Sequence, residues 1–298
     1  MQLQQLACFV AVVDEAHFTR AAQRLHLAQP SLSAQVRSLE REVGGPLLHR
    51  RRGDVRPTEA GERLLPYARR ILADAAAASA EMQRVRGLET GVLRVGATPS
   101  AGTALLPPVL RRFHDAHPGV VLHLAEAGSR DLVEQLAVGA LDLAVVVLPV
   151  AAHGGALATT PLLRDALVLA SAADGPAPVA GPSAAAGDLA DVDLVLPGEG
   201  YDLRATTLAA CATAGVEPRV VADGGELDVV VALVRAGVGA AVLPRTVVDG
   251  ADGADGALRA TPLRGPALHR TVGVAHRKDV PLGRAAAEVR RLLVEQTS

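Results

Sequence analysis

The chain has 298 residues, a length that suits two or three compact units and excludes a peptide-scale or disordered protein. Hydrophobic residues make up 49% and aromatic residues only 2%, so the core must be aliphatic, built from Ala, Val and Leu. A net charge of −2 excludes a uniformly basic coat, yet residues 1–57 carry eight arginines against five acids while residues 91–298 carry 17 basic and 22 acidic side chains, confining attraction to phosphate to the N-terminal end.

Cys8 and Cys211 are the only cysteines and lie far apart, so neither a disulfide framework nor a zinc spacing is available, which fits a reducing compartment. Met1 to Leu6 has no basic lead, and the apolar stretch after it is broken by Asp14 and Glu15, against a signal peptide. The longest later apolar run, Ala144 to Ala152, is too short for a bilayer span and contains Pro149. A cytoplasmic protein with no membrane partner is expected.

Leu3, Leu6, Phe9, Val10 and Val13 follow a helical period that ends at Asp14 and Glu15. A second short helix is predicted from Phe18 to Leu25, with Ala21, Ala22 and Leu25 on one face. A third starts at Pro30, since proline suits a first helical turn, and stops at Gly44 and Gly45. Two short helices joined by a three-residue turn, His26 to Ala28, have helix-turn-helix spacing. From Leu47 to Pro57 the chain turns basic, with Gly53 and Asp54 at the turn of a short two-stranded wing. Thr58, Glu59 and Glu62 open a long helix predicted to reach about Arg86, with Pro66 as a place to bend. At ~1.5 Å per residue it spans roughly 40 Å and needs a partner, its own copy in a dimer.

After Gly91 strands and helices alternate: strands Val92–Ala97, Val120–Glu126 and Leu143–Leu148, with helices Leu105–His117 and Ser129–Val138 between them. A second run has strands at Leu167–Ser171, Leu194–Leu196, Arg219–Val221 and Ala240–Leu243, and helices at Asp202–Ala214 and Glu226–Ala236. Strand Thr271–His276 and helix Leu282–Val294 close the chain. The alternation predicts a parallel sheet covered by helices, with residues 172–190 and 249–257 as surface loops.

Phe18, Thr19, Arg20, Ala21, Ala22 and Leu25, then Gln29, Pro30, Ser31, Leu32 and Ser33, then Leu39, Glu40, Gly44, Pro46, Leu47, Leu48 and Arg50, and finally Thr58, Glu59, Ala60 and Gly61 form one spaced pattern. It resembles the DNA-binding head of LysR-type transcriptional regulators. The resemblance implies that Gln29, Pro30 and Ser33 meet base edges in the major groove, with Thr19, Ser31 and Arg37 nearer the backbone. Arg50, Arg51, Arg52 and Arg56 would lay the wing along phosphates or in the minor groove, although a solvated loop is the alternative for that run. Ala34, Leu48 and His49 depart from the family pattern and leave base preference open.

From Gly91 on, the chain resembles the effector domain of the same family, itself similar to periplasmic solute-binding proteins. The fold class implied is α+β multidomain: an all-α winged helix-turn-helix (1–57), a linker and dimerisation helix (58–90), and an α/β two-lobed domain (91–298). Lobe I would hold 91–161 and 269–298 and lobe II 162–268, with hinges near Pro161–Arg164 and Pro266–Arg270. Strand-end residues Thr98, Ser100, Thr103, Ser129, Pro197 and Glu199 are the candidates for the inter-lobe cleft, where open α/β sheets bind ligands. Hydroxyls and free N–H groups at a helix start suit a small organic anion, although helix capping alone also explains Thr98, Ser100 and Thr103. No cofactor is implied.

Gly237 and Gly239 lack the third glycine of a dinucleotide fingerprint, and His114 and His117, with His123 beyond, could suggest a metal, but the first two lie at a helix end where histidine suits the dipole. The partners implied are double-stranded promoter DNA with a partly palindromic site, a small-molecule effector, the chain itself as dimer or tetramer, and RNA polymerase. A solute-binding protein and an α/β enzyme are the other two readings; the first does not explain the head, and the second lacks a catalytic constellation.

Overall fold

The computed structural model describes residues 1–51, 54–85, 91–150, 156–251, 256–265 and 268–297. The chain divides into two compact units, Met1–Thr90 with Ala137–Ala140, and Gly91–Leu136 with Leu141–Ser298.

In the first unit α1 (Leu3–Glu15), α2 (Phe18–Arg24) and α3 (Gln29–Val43) precede an antiparallel wing, β1 (Leu48–Arg51) and β2 (Asp54–Pro57), and the 27-residue helix α4 (Glu59–Val85). One core cluster joins Leu6, Phe9 and Val12 of α1 to Ala21 and Ala22 of α2 and to Leu32, Val36 and Leu39 of α3. Gly44 closes α3 in the left-handed region at φ 83°, where a side chain would be strained. The turn between α2 and α3 covers Leu25–Ala28, one residue longer than the sequence spacing implied, with His26 at φ 54°. Thr58 caps α4: its hydroxyl accepts from the Gly61 N–H at 3.1 Å and donates to the Pro46 carbonyl at 2.8 Å. A Cβ on Gly61 would collide with the Leu47 carbonyl, so only glycine lets this turn of α4 press against the base of the wing. Pro66 does not end α4, and the predicted limit near Arg86 lies outside the described residues.

In the second unit, β3 (Gly91–Ala97), α5 (Pro99–Ala116), β4 (Val120–Glu126), α6 (Ser129–Ala137) and β5 (Leu143–Leu148) are followed by β6 (Leu157–Ala172), a 16-residue strand. Then come β7 (Ala184–Ala185), a 3-10 turn (Ala186–Asp191), β8 (Asp193–Leu196), α7 (Asp202–Thr213), β9 (Arg219–Asp223), α8 (Leu227–Arg235), β10 (Ala241–Pro244), α9 (Arg245–Ala251) and β11 (Leu258–Arg264). β12 (His269–Arg277) and α10 (Arg284–Thr297) complete the chain. Residues 157–166 of β6 pair with β12, whereas residues 167–172 pair with β10 and β11. β6 therefore leaves one lobe and enters the other, and β12 runs back. The passage lies at Ala166–Leu167, where the Leu167 N–H donates to the Leu268 carbonyl at 2.9 Å, later in the chain than the expected Pro161–Arg164. Of the expected return hinge, Pro266 lies outside the described residues, and Arg270 is already in β12.

Lobe I carries the order β4-β3-β5-β12-β6, in which β3 is parallel to β4 and β5 but β12 is antiparallel to both of its neighbours. The sheet is mixed rather than parallel because the two crossing strands run in opposite directions. Apolar clusters cover its faces, one with Leu93, Val95, Leu106, Val109 and Phe113 and another with Leu132, Leu136 and Val146. Asp142 fastens β5 to β3 by accepting from the Arg94 N–H at 2.7 Å. Lobe II has its own core, with Leu169, Leu194, Val195, Val230 and Leu243. The sequence reading missed the first half of β6, α9 and β11, and residues 172–190 contain β7 and a 3-10 turn as well as loop. α5 starts at Pro99 rather than Leu105 and carries Pro107 and Pro108 in its interior, where prolines ordinarily break a helix.

Candidate functional site

In the first unit, Thr19, Gln29, Pro30, Ser31 and Arg37 are exposed, with Gln29, Pro30 and Ser31 on the opening turn of α3. Ser33 is different: it is buried, and its hydroxyl accepts from the Arg37 guanidinium at 2.9 Å. It therefore steers Arg37 instead of facing outward, because the i, i+4 spacing stacks the two side chains along one face. Arg56 on β2 is exposed, Arg50 and Arg51 stand on β1, and Arg52 lies outside the described residues. Arg20 and Arg24 are held by the acids of α1: Arg24 pairs with Asp14 at 3.2 Å and Glu15 at 3.5 Å, and Arg20 donates to the Glu15 carbonyl.

In the second unit, a cleft opens where the two lobes meet. Thr98, Pro99, Ser100 and Gly128 line it from lobe I, Tyr201, Asp202, Leu203 and Leu227 from lobe II, and Arg270 from β12. The void has room for about one water-sized group. Arg270 is 8% exposed and forms a buried ion pair with Asp165, Nη2 to Oδ2 at 2.9 Å, while its Nη1 donates to Ser100 Oγ at 2.7 Å. Burial pulls the guanidinium below its ordinary value, and the hydrogen bond and charge of Asp165 oppose that shift. Asp165 also accepts from the Thr246 hydroxyl at 2.7 Å.

Ser129 links the lobes. Its hydroxyl donates to Asp202 Oδ2 at 2.6 Å and accepts from the Val147 N–H at 3.0 Å. A Cβ on Gly128 would collide with the Gly200 carbonyl, so the two lobes touch there backbone to backbone. Thr98 precedes α5 without capping it, and its buried Oγ1 has no hydrogen-bond partner among the described residues.

The structure thus brings Thr98 and Ser100 to the wall of the cleft and Ser129 to the contact between the lobes beside it. It does not bring three other candidates there. Thr103 is exposed and donates to the Pro99 carbonyl at 3.0 Å, because α5 begins early enough to make it an interior helical residue. Pro197 is buried, with its carbonyl accepting from Arg204, and Glu199 is exposed, neither of them lining the void. Sequence reasoning missed Arg270, Asp165, Asp202, Tyr201 and Leu227. The available signal was an arginine immediately before the apolar strand Thr271–His276, but its partner stands 105 positions away. Among the described residues no helix is long and apolar enough to cross a membrane, and no group of three or more His, Cys, Asp or Glu could hold a metal ion.

Comparison with known proteins covers both units. A model of the LysR substrate binding domain matches residues 86–298, and one of the bacterial regulatory helix-turn-helix protein, lysR family, matches residues 3–62. A probable hydrogen peroxide-inducible genes activator of Streptomyces viridosporus is 34% identical over 279 residues, 92% of this chain and 88% of that one. The DNA-binding transcriptional dual regulator OxyR of Escherichia coli (strain K12) is 31% identical over 288 residues, 95% of this chain and 91% of that one. A full-length OxyR variant from Pseudomonas aeruginosa superimposes with a TM-score of 0.75 at 31% identity, covering 98% of this chain and 94% of that one. Head and body together therefore assign the chain to the LysR family of transcriptional regulators, with a helix-turn-helix that binds DNA and a C-terminal domain that binds an effector.

Proposed function

We propose that this regulator reads promoter DNA with the opening turn of α3 and changes its output when a small molecule enters the cleft between the lobes of its C-terminal unit. The observation that carries the DNA reading is the exposed group Gln29, Pro30, Ser31 and Arg37 on a helix held by Ala21 and Ala22, with Thr19 exposed on α2 and Arg56 exposed on β2. Gln29 and Ser31 offer hydrogen bonds to base edges, while Arg37, Arg56 and the β1 arginines supply phosphate contacts. Arg56→Ala is expected to weaken all duplexes alike and to reduce the salt slope of binding by about one. Gln29→Ala is expected to cost about 1–3 kcal/mol on the preferred site only. Fluorescence anisotropy against a specific and a scrambled duplex, at several salt concentrations, separates the two; equal loss on both duplexes from Gln29→Ala would remove it from base readout.

The regulator works in the cytoplasm as a dimer, or as a tetramer of two dimers, with recognition helices in successive major grooves. Supporting self-association, Val121 and Leu124 on the edge strand β4 are 54% and 62% exposed, and Val220 and Val221 on the edge strand β9 are exposed as well. Such apolar strand edges are rarely left to solvent. Ligand that favours one closure of the lobes over another shifts the population of DNA-bound arrangements and so the access of RNA polymerase.

Relatives are named for hydrogen peroxide, and thiol-based sensing needs an accessible thiolate. Cys8 and Cys211 are 0% and 1% exposed, burial raises both thiols, and they belong to different units. The chain therefore reads a bound molecule rather than thiol oxidation. Excess hydrogen peroxide is expected to leave both free thiols and the promoter affinity unchanged; a sulfenic acid or disulfide at Cys211 together with altered DNA binding would overturn this.

A further inference from the structure

We infer that the cleft carries its own latch: Asp202 of lobe II ties the start of α6 in lobe I to the start of α7, and the lobes must break this tie before an effector larger than a water molecule can enter. The inference rests on the reading that an effector enters the cleft, and it adds what that entry has to overcome.

Space is the first observation. The void between the lobes has room for about one water-sized group, so the lobes stand closed on each other. Two ties join them. The first runs from Ser100 of α5 through Arg270 and Asp165 to Thr246 of α9. Arg270 and Asp165 belong to the crossing strands β12 and β6, beside the passage at Ala166–Leu167, so this tie sits at the hinge and a rotation of the lobes moves it little. The second joins Ser129 to Asp202, neither of them on a crossing strand, and a rotation that widens the cleft has to break it.

Helix chemistry strengthens this second tie. Asp202 is the first residue of α7, where a carboxylate suits the partial positive charge of the helix start. The same carboxylate reaches the first residue of α6, taking the Ser129 hydroxyl at 2.6 Å and the Ser129 N–H at 3.4 Å. One charge thus serves two helix starts in different lobes, and it serves both only while the lobes are closed. Ser129 is fixed for this role because its hydroxyl also accepts from the Val147 N–H at 3.0 Å. The charge of Asp202 also acts on Arg270, so closure brings the two ties into each other's field. Against them stands Glu126 at the end of β4 in lobe I. Partial burial, and then the negative charges of Glu226 and Asp228 at the start of α8 in lobe II, push its carboxyl above the ordinary range. Like charges on the two lobes favour opening, and the latch opposes them. An effector that binds the open form is weakened by the small fraction of molecules in which the latch is undone.

The test measures opening directly. Thr98→Cys places a thiol on the cleft wall at a side chain that is 3% exposed and whose hydroxyl has no hydrogen-bond partner among the described residues, so the exchange removes no bond. Iodoacetamide labelling of the full-length protein, read by mass spectrometry, reports how often the lobes part, with buried Cys211 in the lobe II core as internal reference. Asp202→Ala and Ser129→Ala in this background are each expected to speed labelling at position 98 by about tenfold or more, the size of one hydrogen bond to a charged group, with Cys211 unchanged. Ser129→Ala keeps the carboxylate, so a faster rate there does not come from altered charge beside the thiol. The double variant is expected to be no faster than Asp202→Ala alone, since both changes remove the same bond. Unchanged labelling in either single variant, equal acceleration at Cys211, or gains that multiply in the double variant would overturn the latch. No effector takes part in the measurement, so failure here leaves the cleft standing as the effector site, and a cleft that takes no effector leaves the latch standing.

Discussion

Asp165→Ala is expected to lower the melting temperature of the C-terminal unit by roughly 6–20 °C, from a loss of about 3–5 kcal/mol at about 2–4 °C per kcal/mol. The reason is what it strands. Arg270 would keep its position behind the cleft, buried and without a counter-charge, and the Thr246 hydroxyl would lose its acceptor. Removing both charges at once is a different matter. Asp165→Leu with Arg270→Met replaces the ion pair with apolar volume and is expected to recover most of the loss, since such pairs contribute little net stability over a packed isostere. Thermal unfolding of Asp165→Leu, Arg270→Met and the pair closes a double-mutant cycle; additive losses would show that the damage is general packing and not a stranded charge. The paired variant should still bind effector less well, because Ser100 would lose the guanidinium that orients it.

Phe9→Ala is expected to cost the head about 3–5 kcal/mol and with it most DNA binding. Phe9 is 0% exposed in a cluster where it is the only fully buried aromatic side chain among the described residues of that unit, and domains of this size hold roughly 5–15 kcal/mol in all. Scanning calorimetry of the full chain is expected to show the head transition moving down while the ligand-dependent shift of the second unit is retained. A loss of both together would mean that the two units unfold as one.

Much of the head was legible because its determinants are local. The helical period of Leu3 to Val13, the small pair Ala21 and Ala22, and the glycines after Val43 each act within a few residues, and the structure follows them closely. Ser33 was read as outward-facing for an equally local reason. It lies on the polar side of α3 by composition, but its angular position turns it inward, against Arg37. In the body, α5 was started late, at Leu105, whereas tertiary packing of Ala101, Leu105, Leu106 and Val109 carries the helix from Pro99 through Pro107 and Pro108.

The amino-acid order alone determined the family, the helix-turn-helix, the long helix after it, and the presence of alternating strands and helices in an effector-binding body, since each depends on periodicity or on residues spaced within one element. Only the tertiary structure decided that two strands cross between lobes and make the sheet mixed, that Arg270 meets Asp165, and that Asp202 reaches Ser129. Those pairings join positions 73 and 105 residues apart. A charge reads from the sequence as solvated until the fold removes its water, as it does for Arg270, and only then does its partner become a fact of the structure.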